Sequence, residues 1–433
     1  MLSTIQRSIH GWLLVFVACA GALIGADSNA PFLLAEGRKA PAIRWKATRV
    51  DATFRSEGVA VADVNRDGKL DVLAGEVWYE APSWKMREVY PPGDYGDGSS
   101  SYSSSFLNYT DDFNQDGWPD LLVIGFPGKP CHWYENPRDQ EQHWKQHLVW
   151  HSACNETPLY EDLFGDGQRV LVMGWQPEGK SKQGQMSWFR PGPDPTQRWK
   201  MHPISTPSRP DREVPGTQTF SHGLGVGDLD GDRRLDVMCT GGWWKQPKKA
   251  GAGPWEFQRA GLGEVEVDGK TDNRTYACAN MFAVDVDADG LADVISSSAH
   301  RYGIWWYRQE PGSKGSRFTR HDLFPDLISQ THALRFEDLN GDGLKDLITG
   351  KRWWAHGPKG DPGSDKPSNL YWFEAKRGAD GKLGFTPHLI HGDSGVGLEF
   401  DVIDFNGDGR LDVVTSNKKG TIVCEQLPLA QSD

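Results

Sequence analysis

The chain has 433 residues, of which 37% are hydrophobic, 11% aromatic and 24% charged, with 50 Gly, 27 Pro and 19 Trp. That much apolar material builds a core and excludes global disorder, and the Gly, Pro and Trp content points to many short strands and turns. A net charge of −12 argues against a nucleic-acid binder, which needs a basic face to neutralise phosphates.

Arg7 and His10 precede an apolar run over 12–24. The run is too short to span a bilayer and has the length of a signal-peptide core, with small residues after it for cleavage at Ala26 or Ala20. Residues 1–26 are therefore expected to be a signal peptide, 27–43 a linker and 44–433 the folded domain. An uncleaved anchor and a lipid-modified Cys19 are the other readings of this stretch, but Phe16 fits a lipobox poorly. No later segment is apolar enough to cross a membrane, so the expectation is a secreted or periplasmic protein with no stable membrane insertion after cleavage. Cys131, Cys154, Cys239, Cys278 and Cys424 remain. Their odd number leaves at least one unpaired, which argues against a disulfide-built scaffold.

One unit then recurs along the chain: a short apolar strand, an acidic loop D-x-[DN]-x-D-G-x-x-D, and another apolar strand. Copies begin at Asp63, Asp112, Asp162, Asp228, Asp285, Asp338 and Asp404, spaced 49 to 66 residues apart. An aromatic landmark follows most copies: WYEAP at Trp78, WYENP at Trp133, SWFRP at Ser187, WWKQP at Trp243, WWYRQEP at Trp305 and YWFEA at Tyr371. An alternating strand comes next, as in WKQHLV at Trp144 and FTPHLI at Phe385. Each repeat reads as four strands, A to D, with the acidic loop between A and B. This is the period of a propeller blade. The seventh repeat stops after its third strand, and RWKATRV at 44–50 carries the fourth-strand pattern. The expected fold is all-β, a seven-bladed β-propeller of four-stranded blades whose last blade is closed by the N-terminal strand, removing open sheet edges.

Carboxylates and amides at loop positions 1, 3, 5 and 9, with Gly at 6, make a hard oxygen cage for Ca²⁺. The candidate ligands are Asp63, Asn65, Asp67 and Asp71; Asp112, Asn114, Asp116 and Asp120; Asp228, Asp230, Asp232 and Asp236; Asp285, Asp287, Asp289 and Asp293; Asp338, Asn340, Asp342 and Asp346; and Asp404, Asn406, Asp408 and Asp412. The third copy has Phe164 and Val170 at ligand positions and is expected to hold no ion; the fourth has Arg233 in place of Gly. Extracellular modules bind calcium at roughly 10⁻⁴–10⁻³ M and stay loaded, so these ions read as structural.

These motifs resemble the FG-GAP or VCBS repeat over about 44–425, which implies a seven-bladed propeller. The segments SHGLGVGDLDGDRRLDV, DVISSSAHRYGIWWYRQ, QTHALRFEDLNGDGLKDLITGKRWWAHGPKGDPG, NETPLYEDLFGDG and DSGVG…SNKKG further resemble secreted bacterial relatives of the propeller domain of aldos-2-ulose dehydratase. That resemblance implies dehydration of a keto-sugar at a zinc site. The cupin and lectin domains of the fungal enzyme have no room here, so the isomerase step assigned to the cupin is not expected.

The residue six before each leading Asp falls at one depth of the central channel, on the face opposite the acidic loops. These residues are Glu57, Phe106, Glu156, His222, Ala279, His332 and Leu398, with Glu399 one further on. The B–C loops return to the same face and carry His300, Tyr302, Lys351, Arg352, His356, Lys418 and Lys419, among others. His222 and His332 with Glu57, Glu156 and Glu399 are candidate ligands for Zn²⁺ or a similar divalent metal with an open position. Such an ion polarises a sugar carbonyl and acidifies the neighbouring C–H. His300, His356 or Tyr302 would move the proton, while Lys351 and Arg352 would stabilise the enolate. The expected function is a secreted metal-dependent carbohydrate lyase or dehydratase acting on keto-sugars by β-elimination. The alternative is a non-catalytic propeller that binds a glycan or protein on that face. The strand-C Trp residues and His147, His202, His321 and His388 read as packing, and 356–366 as a long B–C insertion over the channel mouth.

Overall fold

The computed structural model describes residues 43–428, apart from 181–182, 210, 250, 263–264, 268–269 and 273–277. The expected signal peptide and nearly all of the linker lie outside the described residues. Among the described residues the chain is strand and turn, with no helix.

Five sheets have four strands each, and their strands pair antiparallel. The one beginning at Ala60–Ala62 continues through Asp71–Ala74, Val77–Glu80 and Lys85–Glu88. Ala60–Ala62 lies beside the first strands of two other sheets, Leu107–Asp111 and Phe400–Ile403. The sheets are thus arranged as a propeller-like ring around these first strands. Apolar residues between them form the core, with Val59, Val72, Ile348, Val413 and Val423 in one cluster and Phe106, Leu122, Trp133 and Leu171 in another.

The ring closes as the sequence pattern implies. Arg44–Asp51 pairs antiparallel with Gly420–Leu427, setting Arg44 opposite Leu427 and Thr48 opposite Val423. At one place two neighbouring four-stranded units join. Leu224–Gly227 pairs in parallel with Asn280–Val284, fusing two four-stranded units into one eight-stranded sheet. Glycine permits this: a Cβ on Gly225 would lie 2.1 Å from the Met281 carbonyl oxygen, and one on Gly227 would lie 2.3 Å from the Ala283 Cβ. No larger residue allows the two backbones to come so close.

The aromatic landmarks are cross-strand pairs. Trp133, Trp188, Trp306 and Trp372 sit opposite His147, His202, His321 and His388. Each Trp–His pair stacks, with centroids 3.8 to 4.6 Å apart. Such pairs stabilise sheets, and they occupy four histidines away from the channel.

The acidic loops share one backbone geometry. In the first, Asp63 accepts the N–H of Asp67 at 2.9 Å and of Gly68 at 3.0 Å. The position-nine carboxylate does something the motif alone does not convey. Asp71 accepts the N–H groups of Val64 and Ala81, and Asp120 those of Phe113 and Asn136. Asp236, Asp293, Asp346 and Asp412 repeat this two-oxygen pattern. Each ties its loop to the end of strand C, whereas the third copy has Val170 there. Arg233 adopts a φ of 67°, the left-handed conformation that Gly68 and Gly117 hold at 87°. A side chain there costs about 1–2 kcal/mol, so Arg233→Gly should stabilise the protein by about 1 kcal/mol net of the added unfolded-state entropy. A urea-unfolding midpoint that fell in this variant would contradict the assignment.

Candidate metal centre and cavity

Backbone hydrogen bonds draw the starts of the first strands together. Glu57 N–H donates to the Ser105 carbonyl, Glu156 N–H to Ser221 and Leu398 N–H to Glu57. Arg352 N–H donates to the Gln330 carbonyl, and the Ala355 N–H to the Gln330 side chain. Residues distant in sequence therefore meet at one channel mouth.

Three buried histidines converge there. Ligand atoms of His222, His300 and His332 all lie within 4.8 Å of one another. His222 Nε2 and His300 Nε2 are 3.1 Å apart, close to the roughly 3.3 Å between two nitrogens bound tetrahedrally to one zinc at about 2.0–2.1 Å. His332 is 0% exposed and its Nε2 has no hydrogen-bond partner, while its Nδ1 faces its own chain at the Gln330 carbonyl, 3.4 Å away. His300 Nδ1 faces Asp361 at 3.6 Å. An oxygen behind one ring nitrogen, with the other aimed inward, is how metal-binding imidazoles are held. Glu156 Oε2 lies 3.4 Å from His222 Nε2 and 3.9 Å from His332 Nε2. The donor set fits Zn²⁺ or a similar ion: three imidazoles with a carboxylate at the fourth side.

The electrostatics agree. Burial, followed by the Arg352 charge, pushes His332 well below the usual imidazole range, and burial also lowers His300. Both are therefore neutral at pH 7. Burial works to raise Glu156, but His222 and Arg352 outweigh it and hold the carboxyl down at about 2. Arg352 is itself buried between two carboxylates, with Nε 3.1 Å from Glu57 and one terminal nitrogen 3.4 Å from Glu156. Its other terminal nitrogen has no partner. Lys418 approaches Glu57 at 3.5 Å and donates to the Trp354 carbonyl at 2.8 Å.

A cavity of about 410 Å³ opens over this group, lined by Glu156, His222, His300, Arg352 and His356 and by the rings of Tyr102, Phe106, Phe126 and Phe220. His356 stacks on His300 with centroids 4.6 Å apart, and its Nδ1 lies 3.1 Å from both oxygens of Asp361. That contact raises the His356 pKa, and the two imidazoles together hold Asp361 well below the carboxylate range against its burial.

The sequence-derived candidates divide as follows. His222, His332 and Glu156 meet. His300, expected as a proton carrier, stands among the metal-facing imidazoles. Glu57 pairs with Arg352 and Lys418 and faces no imidazole. Glu399 is elsewhere in the channel, paired with Arg335 and accepting the Val59 N–H at 3.2 Å. Lys351 turns away from the cavity: its ammonium donates to the Ser364 and Lys366 carbonyls, and burial lowers it to about 8. Tyr302 bridges to Ser329, with its hydroxyl against Gly363. Both therefore hold the 356–366 loop in place. Asp361, Tyr102, Phe126 and Phe220 were not anticipated, because they lie on irregular segments without periodicity. The spacing of Asp361 five residues after His356 was the one available signal.

A model of the FG-GAP-like repeat matches residues 285–349, in keeping with the β-propeller arrangement. No curated protein matches the sequence. Among solved structures, the chain is similar to an Agrocybe aegerita lectin that recognises non-reducing terminal N-acetylglucosamine, at 17% identity over 90% of this chain and 87% of that one, with a TM-score of 0.43. It is also similar to putative 6-phosphogluconolactonases from Bacteroides fragilis (10% identity, 85% and 93% covered, TM-score 0.38) and Bacteroides uniformis (8%, 85% and 94%, TM-score 0.40). These likenesses say nothing of ligand or activity.

Removing one partner of a buried ion pair leaves the other charge uncompensated. Arg352→Ala should therefore cost about 3–5 kcal/mol, and adding Glu57→Gln should return part of it. Urea unfolding of the single and double variants measures this; strictly additive losses would contradict the coupling.

Proposed function

We propose that this chain is a seven-bladed propeller, the eight-stranded sheet counting as two blades, and that it works as an exported metal-dependent carbohydrate lyase. The observation that carries the reading is the convergence of His222, His300 and His332 beneath a cavity, with a buried His332 Nε2 that has no other partner. A Zn²⁺-class ion, when bound, supplies Lewis acidity toward a sugar carbonyl. The chain's own groups do the rest. Asp361 takes the Nδ1 side of His356 and leaves Nε2 to accept the proton from the carbon beside the carbonyl. Arg352 offers its unpaired N–H to the oxygen on which negative charge grows. The substrate class is a keto-sugar losing a β-oxygen substituent. Six acidic loops hold structural calcium in this reading, the Asp162 copy none, and export removes the residues up to Ala26 or Ala20.

Metal content after mild chelation tests the centre. The native chain should retain about one zinc-class ion together with calcium. His332→Ala should lose the former, keep the latter and lose β-elimination of keto-sugars. Calcium alone in both proteins would sink the lyase and leave a binding propeller. Calcium removal should lower the unfolding temperature, and mass spectrometry of the exported protein should find an N-terminus at residue 27 or 21. An unprocessed N-terminus or an unchanged melting curve would contradict those two points.

A further inference from the structure

The cavity is lined by two unlike sets of residues. The imidazoles, Arg352 and Glu156 form the polar one. The other is a set of rings: Phe126 meets Phe106 edge-on at 5.3 Å and 72°, and Phe220 at 5.3 Å and 82°. Tyr102 tilts against Phe106 and Phe126, and its hydroxyl is already engaged, donating to the Ala355 carbonyl at 2.7 Å. This wall offers ring edges and faces and no free polar side-chain group. Such a wall offers no hydrogen-bonding partner to sugar hydroxyls and suits an apolar ring.

Phe220 supplies a second, independent observation. It lies at the rim, is 45% exposed, and holds a φ of 66°. The left-handed region is costly for a bulky side chain, and no gain from core burial offsets that cost. Its N–H donates to the Cys154 carbonyl at 2.9 Å, fixing it beside Glu156 and His222. An exposed Phe kept in a strained backbone at a cavity mouth points to a ligand contact. At about 410 Å³ the cavity falls at the small end of ligand pockets, which run roughly 300–1,000 Å³. That leaves room for a sugar and one further ring system rather than a long glycan.

We infer that the substrate is an aryl glycoside in its keto form, its sugar oxygens toward the histidines and Arg352 and its aryl group packed edge-to-face on Phe126 and Phe220. The inference rests on reading this cavity as the substrate site. The chemistry balances without a co-reactant. The C–H bond beside the carbonyl breaks and its proton goes to His356. That bond's electron pair forms the ring double bond as the C–O bond to the aryl group breaks. The departing aryloxy oxygen then takes the proton from His356. One keto-glycoside yields one unsaturated keto-sugar and one phenol, with no oxidant or water consumed. The substrate must therefore come from a reaction that oxidises a ring hydroxyl of an aryl glycoside.

Calorimetric titration of the full chain with phenyl β-D-glucopyranoside and methyl β-D-glucopyranoside tests the aryl contact directly. The phenyl compound should bind about two- to tenfold more tightly, the range of one aromatic pair. Phe220→Ala, at an exposed position that leaves folding intact, should bring the two affinities together, and Phe126→Leu should do the same. Equal affinities in the native chain, or no binding of either compound, overturn the inference. His332→Ala separates it from the lyase reading: a phenyl preference that persists there while metal and elimination are lost supports the inference, whereas a native chain that never binds a transition metal overturns the substrate assignment together with the lyase. Elimination from keto-glycosides at equal rates for phenyl and methyl leaving groups, without a phenyl affinity preference, overturns the inference while leaving the lyase standing.

Discussion

The pairing of Arg44–Asp51 with Gly420–Leu427 is the contact on which the remaining geometry depends. It joins the two ends of the repeat array, and it is further fixed where Asp51 accepts the Tyr79 hydroxyl at 2.6 Å and meets Arg55 at 3.2 Å. Glu57 follows within six residues, on the segment that feeds the first strand of the next sheet. Its carbonyl accepts the Leu398 N–H from the last repeat, and its carboxylate meets Arg352 from the one before. A chain left open at this seam would separate Glu57 from Arg352, and the buried ion cluster would lose one of its two anions. Ring closure and the charge balance of the channel mouth are thus one constraint.

The mouth itself is built on opposed requirements. Arg352 and Lys418 are buried cations, and Glu57, Glu156 and Asp361 are anions at little or moderate exposure. Buried charges are tolerated only when paired, and here each has a named partner. His332 and His300 are neutral instead, because burial disfavours a further positive charge on both and the Arg352 charge adds to this at His332. Neutral nitrogens are what a metal requires. The same Arg352 therefore holds Glu156 ionised and keeps His332 unprotonated.

Much of this was legible in the sequence, and the exceptions are physical. The repeat and the closing strand follow from strand periodicity, whereas the stacking of the strand-C Trp on the strand-D His residues appears only in the folded sheets. Counting back six residues from each leading Asp located Glu57, Glu156, His222 and His332 at one mouth because equivalent positions of a ring lie at equal depth. Glu399 was taken one residue beyond that register, and a one-residue step along a strand reverses the side chain. Leu398 holds the register position and packs in the core with Phe106, while Glu399 turns to Arg335. The same alternation separates neighbours on the B–C loop, sending Arg352 inward and Lys351 toward the 356–366 carbonyls. The position-nine aspartates read as ion ligands because a carboxylate suits a cation and two backbone N–H groups equally well; the motif does not distinguish them. Asp361 and Phe220 belong to irregular segments, where only the folded backbone shows what they face.

Anomalous diffraction from crystals of the native chain, recorded on both sides of the zinc absorption edge, tests the metal centre most directly. The account predicts one zinc-dependent peak about 2.0–2.2 Å from a ring nitrogen of each of His222, His300 and His332, distinct from any calcium in the acidic loops. A fully occupied map with no peak among these three histidines, or a transition-metal peak only at the acidic loops, would contradict it.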